Sequence, residues 1–439
     1  MATALPPGPR LGPVLGTLHW LLRPGPFMEA TRRRYGDVWT MTLLRDRFVM
    51  VSDPELIKLI FTGPPEQMHA GEANVILEPV VGPRSVLLLD DQAHMAQRKL
   101  LLPPFHGKHI ERYAEIMREA CERDLADWPR DRAQPLLPAM QRITLEVIMR
   151  AVFGIGDTDG ERQAELRGHL RNLLDWTANP WRMLQIGMLA QFGGRAVKHF
   201  IALMTPVDAA LRAEIRRARE DPAIEARDDI LALLVAARHE DGSPMSEDEL
   251  RDELMTLLLA GHETSATGLA WAMERLLRHP EMLERVRTEA LAGEDEFVDA
   301  VVKETLRLRP IVPLVARVLK QPLQLGDYHL AAGTVVAPSI YLVHRREDVY
   351  PEPARFRPER FLEQPAGTYT WIPFGGGVRR CLGASFATQE MKIVLQTLAL
   401  RAQLRPARQA SERIRRRAIT FSPGRGAEAV FEGLRPSAA

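Results

Sequence analysis

Apolar residues recur at every third or fourth position through most of this chain, and only a few stretches alternate with the two-residue period of a strand. The helical spacing predicts helices over residues 110–128, 140–153, 161–176, 196–219 and 384–400. Ser52-Asp53-Pro54-Glu55 supplies a cap, a proline at the first helical position and an acid in the first turn, and Gly63 closes that helix. Ser246 and Glu249 form a capping box at the head of a pattern running to residue 278. At about 1.5 Å per residue, that helix is long enough to cross a whole domain. β-Branched and aromatic residues between 38 and 51, broken at Arg45-Asp46, predict a hairpin. Alternation returns over 323–338, which predicts one small sheet with turns at Gly326-Asp327 and Gly333-Thr334. It returns again over 414–431 around Ser422-Pro423-Gly424. The expected class is mostly α with small β-sheets, strands being confined to about 36–52, 320–340 and 413–431. Between 68 and 89 the pattern dissolves into a long Pro/Gly-punctuated loop, and loops of that length are usually functional or disordered.

Length alone would predict two or three domains, since 439 residues far exceed the usual domain of about 100–150. No Ser/Gly-rich linker, charge block or internal repeat marks a boundary, and 46% hydrophobic content suffices for a large core. A net charge of +1 argues against nucleic acid as a partner. Two cysteines, Cys121 and Cys381, rule out a disulfide framework, and reduced cytoplasm fits them. Cys121 falls in a helical pattern and is expected in the core. Residues 1–9 lack the charged and apolar regions of a secretion signal. No stretch approaches the ~20 apolar residues needed to span a bilayer. The expectation is a soluble cytoplasmic protein with no membrane anchor.

Candidate chemistry concentrates in Phe374-Gly375-Gly376-Gly377-Val378-Arg379-Arg380-Cys381-Leu382-Gly383. A cysteine before a helix faces unpaired N–H groups and the positive end of the helix dipole. Arg379 and Arg380 add to that field, so the residues favour a thiolate suited to metal ligation. Three glycines would let backbone approach something flat and close. A dinucleotide fingerprint fails because Arg380 stands at its sixth position, and no Gly-Lys-Ser/Thr of a P-loop is present. The competing reading is a glycine-rich turn before a buried structural cysteine. In the long helical pattern, Leu257, Ala260, Gly261, Thr264, Gly268 and Trp271 share one face, with small residues in its middle beside Glu263. A zinc site there is excluded, because Ala266 occupies the second histidine position of H-E-x-x-H.

The spacing F-x-x-G-x-R-x-C-x-G, carried by Phe374, Gly377, Arg379, Cys381 and Gly383, resembles the haem-binding signature of the cytochrome P-450 monooxygenases. Ala260-Gly261-His262-Glu263-Thr264-Ser265 is similar to that family's oxygen-activation motif. Glu304-x-x-Arg307 and Phe356-Arg357-Pro358-Glu359-Arg360-Phe361 resemble its two remaining signatures, and the four motifs occur in family order. The resemblance covers nearly the whole chain and implies one catalytic domain over 1–439. It implies the cytochrome P-450 fold, a triangular prism with a long central helix over the haem. Leu5-Pro6-Pro7-Gly8-Pro9 resembles the proline hinge that follows the anchor of eukaryotic members, here without the anchor.

The resemblance implies haem b, with Cys381 as its axial ligand. His94, Arg98 and Arg317 would bind the propionates, and Arg379, Phe374, Gly383, Ala260 and Gly261 would border the cofactor. Thr264 and Glu263 would be catalytic. Glu304, Arg307 and Arg360 would form a buried structural network. Leu257, Ile311, Val312, Leu314, Val315 and Phe421 would line a substrate pocket roofed by residues 177–194. The implied function is hydroxylation of a lipophilic small molecule, a fatty acid or terpenoid before a steroid, by a monomer. Electrons would come from a ferredoxin or flavodoxin with its reductase; Arg379, Arg380 and Lys392 near the cysteine are either a steering patch for such an acidic partner or a plain solvated basic surface. A peroxide-driven haem-thiolate enzyme and a non-enzymatic haem sensor or carrier are the alternatives.

Overall fold

The computed structural model describes residues 5–43, 46–105, 108–154, 160–179, 182 and 195–435. The chain opens with helices α1 (Pro13–Leu22) and α2 (Pro24–Tyr35), the hairpin β1 (Val38–Leu43) and β2 (Asp46–Val51), and helix α3 (Pro54–Thr62). Asp53 starts α3 by accepting the N–H groups of Glu55 at 3.0 Å and Leu56 at 3.1 Å. A short strand β3 (Met68–His69) follows, then α4 (Asp91–Leu101), α5 (Lys108–Ala126), strand β4 (Ala133–Pro135), α6 (Leu137–Phe153), α7 (Gly160–Thr177), α8 (Arg195–Glu220) and α9 (Ile230–Ala236).

Helix α10 (Glu247–Leu276) forms the axis. Its capping box is complete, with Ser246 Oγ accepting the Glu249 N–H at 3.1 Å and Glu249 Oε2 accepting the Ser246 N–H at 2.7 Å. A helix buried all round belongs inside a large protein. From Leu250 to Leu276 this one opens only at Leu259, Ala260, Gly261, Glu263 and Thr264. Helices α11 (Pro280–Ala292) and α12 (Glu296–Leu308) lead to strands β5 (Arg317–Leu319), β6 (Leu323–Leu325), β7 (Tyr328–Leu330) and β8 (Val335–Pro338). The chain finishes with α13 (Ala384–Arg401) and strands β9 (Ala402–Pro406), β10 (Ile414–Arg417), β11 (Thr420–Pro423) and β12 (Glu428–Leu434). α10 packs against α6, α8, α12 and α13 in one continuous apolar core that also takes in Cys121. A second core underlies the five-stranded sheet β1-β2-β8-β5-β3.

Residues 323–338 divide between two sheets instead of forming one. β6 and β7 pair alone around Gly326, whose φ of 58° needs glycine. β8 runs parallel to β2 and joins the large sheet, because Gly333 turns the chain back with its N–H on Leu319 O. The last strands divide likewise. β10 pairs only with β11, while β12 lies between β4 and β9. The loop after β3 is pinned by two carboxylates of α10. Asp252 accepts the Arg84 N–H at 2.9 Å and Glu253 accepts the Val86 N–H at 2.7 Å.

Candidate functional site

The cysteine loop is held from below by a buried charge network. Glu304 and Arg307 are fully buried on α12 and bonded at 2.6 and 2.9 Å, and Arg360 reaches the same carboxylate at 3.2 Å. Arg307 also donates to the carbonyls of His344, Pro353 and Arg355, and the Arg357 N–H donates to Glu304. His344 Nε2 then accepts the Ile372 N–H at 2.9 Å, two residues before Phe374.

Within the loop, the Cys381 N–H donates to Phe374 O at 2.9 Å. Its glycines have a different use from the flat, close partner expected. A Cβ on Gly376 would collide with the Phe61 ring, and one on Gly377 with the Phe61 carbonyl, so they let the loop seat on α3. Gly377 also holds φ of 63°. A Cβ on Gly383, by contrast, would meet nothing. Cys381 keeps exposed surface although protein atoms crowd around its sulfur, and the Gly383 N–H points at that sulfur. The sequence favoured a thiolate here, but burial pushes the free thiol up and outweighs that N–H and the charges of Arg380 and Arg98. A metal cation reverses that balance, because a coordinating thiol is deprotonated outright.

Three separate segments deliver four basic side chains to this region. His94 and Arg98 lie on one face of α4, Arg317 opens β5, and Arg379 lies in the loop itself. Burial first, then the charges of Arg379 and Arg98, pushes His94 down to about 4, so its imidazole is neutral at pH 7. Arg317 is pushed down to about 10 by burial and then by Arg379. Asp90, which the sequence reading missed, sits among them. It pairs with Arg379 and accepts the N–H groups of Gly71 at 2.9 Å and Glu72 at 3.1 Å. Its position just before α4 reads as a helix cap, yet its side chain makes no cap bond. His69, Glu72 and Asp90 approach one another closely enough to hold a metal ion. Lys320 and Arg379 already neutralise the two acids, so the group is an ion-pair network.

On α10 the expected small face splits. Gly261 is small because Ile148 of α6 stands 3.2 Å from where its Cβ would be, and Gly268 because Met391 stands at 2.9 Å. Ala260 and Thr264 are the open positions, and Thr264 Oγ1 donates to Ala260 O at 2.6 Å. Glu263 points elsewhere. Arg417 Nε donates to it at 2.6 Å and Gln141 Nε2 at 2.7 Å, while burial raises its pKa against both. Arg417 continues to the exposed Asp175 at 3.4 Å.

Of the expected pocket residues, Leu257 and Ile311 are buried and Val312, Leu314 and Val315 are half-buried. Val315 lies 3.9 Å from the Cβ position of Gly375, beside the cysteine loop. The Phe421 ring instead packs with Trp20 and Tyr341, at centroid distances of 6.1 and 5.8 Å. Residues 180, 181 and 183–194 of the expected roof lie outside the described residues. Of the three basic residues expected to steer a partner, Lys392 is paired with Asp295 and Arg379 with Asp90, leaving Arg380 exposed. A cavity of about 740 Å³ between α5, α6 and α8 contains none of these residues, and its charges pair internally, as Arg150 with Glu119 and Arg227 with Asp229.

Glu390 of α13 was also unforeseen. It is fully buried with both oxygens unbonded, and burial raises its pKa to about 8, which the nearby Ser265 hydroxyl only partly offsets. The folded protein therefore holds a proton that the unfolded chain loses near pH 4.5. Stability from this group is complete below pH 4.5 and is lost as pH rises through about 8, each pKa unit being worth about 1.4 kcal/mol. Glu390→Gln should thus gain on the parent between pH 5 and pH 8 in urea midpoints. A difference that does not change with pH would refute this. Glu253, also raised to about 8, acts in both proteins and cancels from the comparison.

A soft thiol with a backbone donor, three guanidiniums with one carboxylate among them, and an opening in the central helix together fit a haem with two propionates. The comparisons agree. The sequence pattern of the family described as Cytochrome P450 matches residues 6–424. Cytochrome P450 135B1 of Mycobacterium tuberculosis is 44% identical over 96% of this chain and 90% of its own length. Cytochrome P450 137 of the same species is 39% identical over 92% and 84%. In fold, the chain matches the structure titled "Retinoic acid bound cyanobacterial CYP120A1" at a TM-score of 0.86 and 24% identity, covering 99% of this chain and all of that one. It matches "Crystal structure of cytochrome P450DA heme domain" at a TM-score of 0.85 and 21% identity, covering 99% of each. The protein is a haem-thiolate monooxygenase by class. The chain belongs to the cytochrome P450 family.

Proposed function

We propose that the chain hydroxylates a lipophilic small molecule, a fatty acid or terpenoid before a steroid, using dioxygen and electrons from a separate ferredoxin or flavodoxin. The observation that carries this reading is the convergence of His94, Arg98, Arg317 and Arg379 around Cys381, in a protein whose buried central helix α10 opens at Ala260 and Thr264. The cofactor would be haem b, which Cys381 would hold through sulfur and the basic side chains through its propionates, with Asp90 positioning Arg379. A thiolate-ligated haem supplies dioxygen activation, because the thiolate pushes electron density that favours O–O cleavage.

The remaining work falls to the chain. The Gly383 N–H steadies the sulfur, as outer donors do for metal ligands generally. Thr264 holds a water in the opening, and a chain of Glu263, Arg417 and the exposed Asp175, starting one residue away, leads to solvent. Val312, Leu314 and Val315 give the substrate an apolar wall. Arg380 is the exposed cation near the cysteine that an acidic redox protein would meet.

A spectral-shift screen of fatty acids, terpenes and steroids, followed by turnover with NAD(P)H and surrogate redox proteins, tests the proposal. Product formed with peroxide alone, and none with NAD(P)H, would favour a peroxide-driven enzyme instead. Thr264→Ala should keep consuming NAD(P)H while hydrogen peroxide replaces product, because the water loses its anchor. Coupling equal to the parent's would remove Thr264 from this role.

A further inference from the structure

Helix α1 faces the wrong way for its sequence. At 3.6 residues per turn, Val14, Leu15, Leu18 and Leu22 fall within an arc of about 100°. Such a stripe ordinarily turns inward. Here its members are 70%, 51%, 38% and 61% exposed. The face packed on the protein carries Gly16, whose Cβ would lie 3.0 Å from Thr42 O, and Trp20, which rests on Phe421. A lone exposed leucine is ordinary, but four apolar residues on one face of a ten-residue helix form a patch that marks an interaction site.

The N-terminal segment that carries the patch is rich in positive charge. Residues 5–35 contain five arginines and a single acid, Glu29, in a chain whose net charge is only +1. Glu29 is already engaged by the Tyr341 hydroxyl at 2.6 Å and Arg345 at 3.1 Å. Arg10, Arg23, Arg33 and Arg34 are exposed, and none is ion-paired among the described residues. The hairpin packed on the inner face of α1 is basic as well, with Arg416 over the Trp20 ring at 4.9 Å and Arg413 and Arg415 exposed.

We propose that this face docks on an anionic lipid bilayer, with α1 lying in the interface and the arginines on the phosphate headgroups. Apolar insertion and basic residues together are what interfacial helices use. A second copy of this chain is a poor occupant, since it would set arginine against arginine. No helix among the described residues is long and apolar enough to span a bilayer, and α1, at ten residues, has the length to lie in the interface and not to cross it.

Sedimentation of the haem-loaded full chain with extruded vesicles tests this without any turnover. Binding to phosphatidylglycerol-containing vesicles should exceed binding to pure phosphatidylcholine and should weaken in about 1 M salt. Leu18→Glu/Leu22→Glu and Arg10→Glu/Arg23→Glu should each lower it by about tenfold or more with the haem spectrum unchanged. No binding to anionic vesicles, or equal binding by both variants, overturns the proposal. So does a parent protein that ignores vesicles but dimerises through this face, shown by light scattering in which Leu18→Glu/Leu22→Glu is monomeric.

Discussion

Cys381→His should retain some haem yet lose the spectral signature of thiolate ligation, and its monooxygenation should fall to the rate without enzyme. The loop itself should survive the change. Its shape comes from the Phe374–Cys381 backbone bond and from Gly376 and Gly377 seated on Phe61, none of which involves sulfur. Imidazole can bind iron too, but it is neutral and donates less electron density than a thiolate does. Visible spectroscopy of the carbon monoxide complex reports the ligand, and product analysis reports the rate. Hydroxylation sustained at the parent rate would sink the ligand assignment and the function proposed with it.

Glu304→Ala should cost about 3–5 kcal/mol, because it strands Arg307 and Arg360 in the interior. That is a large share of a typical total of about 5–15 kcal/mol. The Arg357 N–H would lose its acceptor as well. Damage should travel through His344 to Ile372 and hence to the cysteine loop, so haem retention should fall along with the urea midpoint. The two readouts separate a network that carries the loop from one that merely stabilises the core. A loss below about 1 kcal/mol would mean that the guanidiniums find water or other acceptors instead.

Features written in adjacent residues were legible from the sequence. The capping box at Ser246, the cap at Asp53, the pairing of β1 with β2 and the cysteine loop all depend on near neighbours. Features requiring distant partners were hidden. Nothing near residue 376 announces Phe61, and nothing near Asp90 announces Arg379 or the N–H groups of Gly71 and Glu72. Gly261 and Gly268 show in the sequence only as small residues on one face, and Ile148 and Met391, distant in the chain, account for them. Strands β3, β4 and β9 span two, three and five residues, too few for alternation to stand out. Glu390 hides in an apolar-periodic run, where an acid reads as a surface position until its neighbours are known.

The hydroxyl of Thr264 has only one hydrogen, and that hydrogen is already given to the Ala260 carbonyl. Only lone pairs remain to face the opening in α10. A water settling there must aim one O–H at Thr264, which fixes its orientation and leaves its second hydrogen directed away from the helix. Serine could impose the same polarity on that water, whereas valine, close to threonine in shape, would let it tumble.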